Sequence, residues 1–210
     1  MLGLIKKDLL MIKSNIKTII IMMFVFLVMT INEGSNFVFI PTFISIMLMM
    51  STFSYDEYNK TDAYIASLPN GKTNAVTSKY LATLIVVVLS LILSFTLSYF
   101  AGISQGNLDL EDITMTTLGC GASVLILQSI LYPTIYKLGI EKGRISIFVI
   151  VFSIVGLGTI LMKNGLSIKI PTSIMTLLNN YGMIIIPLIV LIILFISYKI
   201  SVHIYKQKEF

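Results

Sequence analysis

The sequence predicts an all-α protein that crosses a membrane several times. Of its 210 residues, 56% are hydrophobic and 12% are charged, and the mean hydropathy is +0.94, whereas soluble domains carry about 25% charged residues. A spanning helix needs about 20 mostly apolar residues. We therefore expect one transmembrane domain over residues 1–210, with six spanning helices. The predicted spans are residues 18–31, 37–53, 80–101, 113–136, 145–162 and 181–198.

The lysines predict the orientation of these spans, because positive residues are retained on the cytoplasmic side of a membrane. With the N-terminus inside, only Lys163 and Lys169 fall in outer segments, and the outer connection near Asp109 is acidic. We expect a multi-pass protein of the plasma membrane with both termini in the cytoplasm. The net charge of +5 then reflects topology and does not indicate a nucleic-acid partner.

The first element, residues 1–17, is predicted to be an amphipathic helix lying in the inner membrane interface against lipid. A signal peptide is the alternative, but no small-residue cleavage site follows the first apolar run. Its apolar face would carry Leu2, Ile5, Leu9, Ile12 and Ile16, and its charged face Lys6, Lys13 and Lys17.

The third span carries a small residue at every fourth position, which lets another helix approach closely in lipid. We interpret this face as a helix-packing surface, with a hydroxyl-lined conduit as the alternative. The residues are Ser90, Ser94, Ser98 and Gly102.

In the fourth span, Gln128 is the one amide at membrane depth, and we expect its side chain to hydrogen-bond a neighbouring helix or, alternatively, a substrate. Residues 163–180 are too polar to span, and an outer-leaflet or re-entrant segment is expected there.

No catalytic, metal-binding or cofactor-binding residues are predicted. The single Cys120 and the single His203 have no partner that could build a thiolate cage or a catalytic pair. Residues 66–73 approach the phosphate-binding loop pattern, but Ala66 replaces its first glycine and Pro69 removes an amide donor, so we do not expect nucleotide binding. No ionisable residue lies near the centre of a span, which disfavours an ion-coupled carrier.

One long polar interval, residues 55–80, separates the second and third spans. It combines acids, bases, aromatic residues and a Pro-Asn-Gly turn. A helix from about Asp56 to Ser67 is predicted, with acids at its start, where the helix dipole favours them, and Pro69 as its stop. Tyr58 and Tyr64 would offer large contact areas with polar tips, as interface anchors do.

Residues 54–81, which read SYDEYNKTDAYIASLPNGKTNAVTSKYL, resemble the first cytoplasmic loop of small type-2 ABC exporter permeases. That loop typically has an acid pair, a lysine, an aromatic residue, a Leu-Pro pair and a Lys-Tyr pair that enters the next span. In this family the loop forms a coupling helix that docks on a separate ATPase subunit. The resemblance implies seven docking residues: Asp56, Glu57, Tyr58, Lys60, Thr61, Tyr64 and Leu68.

The resemblance also implies the function and the partners. The chain would pair with an identical or different second permease, two ATPase subunits would bind ATP and Mg²⁺, and this chain would hold no cofactor itself. Small permeases with short outer loops include exporters of amphipathic peptides such as phenol-soluble modulins and peptide antibiotics, so peptide export is the expected function. The alternative is a membrane immunity or scaffold protein that binds a toxin peptide without transporting it.

Overall fold

The computed structural model describes residues 2–15, 17, 20–21, 24, 39–105, 109–163 and 172–208. In this part of the chain every regular element is helical, which confirms the all-α fold class. The helices with described bounds are α1 (Leu2–Ser14), α2 (Phe39–Tyr58), α3 (Thr61–Ala66), α4 (Gly71–Gln105), α5 (Leu110–Leu138), α6 (Ile140–Lys163) and α7 (Thr172–Gln207), and residues 17, 20–21 and 24 are helical as well.

Three helices among the described residues are long and apolar enough to cross a membrane, within Gly71–Ile103, Leu110–Leu138 and Gly182–Gln207. They correspond to the third, fourth and sixth predicted spans. The second and fifth predicted spans lie largely within α2 and α6, so both are helical. Most of the first predicted span, residues 18–31, lies outside the described residues, and the number of six spans stays a prediction.

The predicted segment at residues 163–180 is only partly described. Residues 164–171 lie outside the described residues, and Thr172 begins α7, which continues without interruption through the sixth predicted span. The described half of this segment therefore belongs to the same helix as that span.

An aromatic cluster joins α2, α4, α5 and α7 at the ends that lie beside residues 55–80. The ring of Tyr132 lies 5.1 Å from that of Phe53 and 5.0 Å from that of Tyr80, and Tyr136 lies 5.0 Å from Tyr205. Edge-on and tilted aromatic pairs at these separations stabilise a core beyond the area that they bury. The cluster therefore holds these four helix ends together beside residues 55–80.

The helix α1 packs on protein with part of the face that the sequence predicts to meet lipid. Leu9 and Ile12, from the predicted apolar face, pack beside Met49 of α2 and Ala82 of α4. Asp8, a charged residue, is the most buried of the α1 side chains that the structure describes, with 1% of its surface exposed. A buried acid requires a cationic partner, and that partner lies in the polar interval.

Candidate functional site

Residues 55–80, which we call the docking segment, are divided in the structure by two turns. The predicted helix from about Asp56 to Ser67 is interrupted at Lys60, whose φ of 50° places it in the left-handed region. The acid pair thus ends α2, and only Asp62 lies in the first turn of α3. Carboxylates at a helix C-terminus are unfavourable with the helix dipole, so Asp56 and Glu57 need other partners.

Asp56 finds its partners in an ion cluster, defined as Lys7, Asp8, Asp56 and Lys79. The ammonium of Lys79 lies 2.7 Å from Asp56 Oδ2 and 2.9 Å from Asp8 Oδ1, and the ammonium of Lys7 lies 2.5 Å from Asp56 Oδ1. The two lysines balance the two aspartates. The cluster therefore ties α1 and α4 to the end of α2.

The surroundings of the cluster hold Asp56 in its charged form. Burial would raise the pKa of Asp56, but Lys79 and Lys7 outweigh burial, and the pKa lies below its ordinary value. The hydroxyl of Thr61 donates to Asp56 Oδ1 over 3.1 Å, and the ammonium of Lys79 also lies 4.9 Å from the ring centre of Phe53, a favourable cation–π distance. These contacts offset the cost of burying the charges of Asp8, Asp56 and Lys79.

Glycine is required at the second turn. A Cβ on Gly71 would lie 1.8 Å from the main-chain oxygen of Ile65, a distance that no side chain tolerates. The turn is closed by hydrogen bonds from Leu68 N to Ile65 O and from Gly71 N to Leu68 O, and Asn70 adopts a φ of 55°. The Pro-Asn-Gly sequence thus folds α3 back directly onto the start of α4.

Two further contacts fix the docking segment to the last helices. The hydroxyl of Tyr205 in α7 donates to Asp62 over 2.8 Å. Glu57 Oε2 accepts a hydrogen bond from the main-chain N–H of Ile140, the first residue of α6, and so satisfies one of the free N–H groups at that helix start. Movement of the docking segment would therefore displace α4, which begins within it, and also α1, α6 and α7, which contact it.

The predicted docking residues divide into an exposed set and an inward set. Tyr58 is 87% exposed and Tyr64 69% exposed, which is high for side chains of this size in a folded protein. Glu57, Lys60 and Leu68 are also exposed, whereas Thr61 is half-buried and Asp56 is buried. The exposed set forms a polar and aromatic surface, and Asp56 and Thr61 support it from within.

The predicted packing residues lie along α4. Ser90 and Ser94 are buried, and Ser98 and Gly102 are half-buried. A Cβ on Gly121 of α5 would come within 2.8 Å of the side chain of Leu91, so α4 and α5 approach closely at this level.

Lys7 and Asp8 were not among the residues that the sequence singled out. The available signal was that Asp8 is the only acid before Glu33, which is unusual in a helix expected to meet anionic lipid.

A cavity of about 90 Å³ lies beside the ion cluster, lined by residues that include Asp8, Glu57 and Asp62. Among the described residues, no group of three or more metal-ligating side chains could hold a metal ion.

Comparison with known proteins gave one result. The family model described as ABC-2 family transporter protein matches residues 3–206. Searches of curated proteins and of solved structures gave no match.

Proposed function

The chain belongs to the ABC-2 family of transporter proteins, as a multi-pass membrane permease subunit of an ABC transporter, and we propose that it exports amphipathic peptides from the cell. Membership in this family implies association with ABC ATPase subunits. In the proposed mechanism, the exposed surface of the docking segment binds an ATPase, and ATP-driven closure moves this segment. The attached helices α2 and α4 then shift between inward-facing and outward-facing arrangements.

The observation that carries this proposal is the pairing of an exposed surface with a rigid base. Tyr58 and Tyr64 project from the segment, and large amphipathic rings of this kind dominate protein interfaces. Beneath them, the ion cluster and the contacts of Glu57 and Asp62 join the segment to α1, α6 and α7. A force applied to the exposed surface of the segment would thus move the attached helices and would not be absorbed by a flexible loop.

The peptide substrate is supported by two features. The outer connection between α4 and α5 is short, since α4 ends at Gln105 and α5 begins at Leu110, so it adds no folded outer domain. The chain also carries 12 methionines, whose flexible thioether side chains adapt to varied apolar partners.

Replacement of both Tyr58 and Tyr64 by alanine tests the docking role. We expect ATP hydrolysis by the associated ATPase to continue while peptide export falls at least about tenfold, since losing two interface anchors of ~1–2 kcal/mol each weakens force transmission. Glu57 is left intact because it also supports the start of α6. Tyr99→Ala, at the outer end of α4, is the matched control. Export at the wild-type level in the double variant would refute the docking role.

A further inference from the structure

Gln128 is a buried amide without a partner. Its side chain is 1% exposed, and neither Nε2 nor Oε1 makes a hydrogen bond with any part of the chain that the structure describes. Buried polar groups are almost always hydrogen-bonded, and exceptions require an explanation. Ser98 Oγ, on the helix that faces α5, is a second buried polar atom without a partner.

By helix geometry, Gln128 lies on the side of α5 that forms the interface with α4. The hydroxyls of Thr83 and Tyr132 are hydrogen-bonded across this interface. At 3.6 residues per turn, Ser90 and Ser94 lie within about 20° of Thr83 around α4, and Gln128 lies within about 40° of Tyr132 around α5. We call these five residues the polar seam.

The depth of Gln128 follows from two cross-contacts. Tyr132 meets Thr83, and Gly121 meets Leu91, so antiparallel spacing places Gln128 at the level between Thr83 and Ser90. The hydroxyls of Ser90 and Ser94 donate to main-chain oxygens of their own helix. At the level of Gln128, α4 contributes Val86 and Val87, which are buried and apolar, and cannot satisfy an amide.

We infer that the polar seam is a contact surface for the exported molecule, closed in this conformation, and that Gln128 hydrogen-bonds the main-chain amides of a peptide when the seam opens. An amide side chain has both donors and an acceptor and is complementary to a peptide group. In the closed state its groups remain unsatisfied, which disfavours that state, and a peptide would remove this cost. The inference rests on the proposed function and adds the chemical group that is recognised.

The test compares Gln128→Met with Ser129→Ala. Methionine keeps the length of glutamine without its amide, and Ser129 is a buried neighbour whose hydroxyl is already bonded to Ile126 O. Without its unsatisfied amide, Gln128→Met should melt at least about 2 °C higher than the wild type. ATP-dependent uptake into inside-out vesicles is measured with a fluorescent amphipathic peptide of about 20 residues. The half-saturating peptide concentration should rise about 2- to 10-fold in Gln128→Met and stay unchanged in Ser129→Ala.

A lower melting temperature for Gln128→Met would show that the amide has a partner and would overturn the inference. Unchanged half-saturation would overturn it as well, and peptide uptake by the wild type would then leave the proposed export function standing. No uptake by the wild type would instead refute peptide export itself.

A second measurement does not depend on uptake. In a Cys120→Ala background, Gln128→Cys should react with a membrane-permeant maleimide at least about tenfold faster during ATP turnover, and the peptide should slow this reaction. Equal reactivity with and without ATP would contradict an opening seam.

Discussion

Removal of the Lys79 ammonium tests whether the ion cluster acts as one unit. Lys79→Met leaves Asp8 and Asp56, both buried, to share the single ammonium of Lys7, which lies 3.6 Å from Asp8. Breaking one side of a buried ion pair costs about 3–5 kcal/mol. Because Lys7 stays in place, we expect the lower end of that range. About 3 kcal/mol corresponds to a melting temperature about 6–12 °C lower for a chain of this size.

The matched variants complete a double-mutant cycle. Asp8→Leu alone leaves Lys79 with Asp56 only and should also lower the melting temperature. In the double variant the ammonium of Lys7 and the carboxylate of Asp56 remain, 2.5 Å apart, and their opposite charges balance each other. The double variant should therefore melt higher than Lys79→Met, and its loss should be less than half the sum of the two single losses.

The chain offers its own probe for this assay. Cys120 is the single cysteine and is buried, so a dye that fluoresces on reaction with thiols reports unfolding in detergent. If the losses of the two single variants simply add in the double variant, Asp8 and Lys79 are not energetically coupled. That result would refute the ion cluster as the connection between α1 and the docking segment.

Two further predictions concern the same region. Gly71→Ala should lower the melting temperature by more than about 5 °C, because the added Cβ would lie 1.8 Å from Ile65 O. The control is Gly119→Ala, whose Cβ would meet nothing within 4 Å and which should leave the melting temperature unchanged or raise it. Equal effects of the two substitutions would contradict the tight turn. Because the pKa of Asp56 is lowered in the folded protein, its stabilising contribution is complete above the ordinary carboxyl pKa of about 3.9 and is lost as the pH falls through the lowered value. The melting temperature of Asp56→Asn should thus lie below that of the wild type at pH 7, and the gap should narrow below about pH 3.9; a gap that is constant down to pH 3 would contradict the ion pairs of Asp56.

The helical elements could be predicted from the sequence because hydrophobic run length and turn residues act locally. The start of α4 at Gly71 follows from the Pro-Asn-Gly turn, and the end of α5 at Leu138 is followed by Gly139, whose φ of 84° suits glycine. These signals depend on neighbours in the chain. They required no knowledge of tertiary packing.

The ion cluster could not be predicted in the same way. Asp8 and Lys79 are 71 positions apart, and no local pattern relates them. By the positive-inside rule, Lys79 is expected to lie on the inner surface, whereas it lies inside the protein between two aspartates. The break at Lys60 was also missed, because the acids at Asp56 and Glu57 suit a helix start and their partners come from distant helices.

The most direct test of the central claim is purification of the tagged chain from native membranes in mild detergent, with mass spectrometry of the proteins that accompany it. We expect an ABC ATPase in roughly equal amount with the wild type and with Tyr99→Ala, and its loss when both Tyr64 and Leu68 are replaced by alanine. An ATPase retained by the Tyr64 and Leu68 variant would contradict docking through this segment. A wild-type chain recovered without any ATPase would contradict the permease mechanism and favour a protein that binds peptide without transporting it.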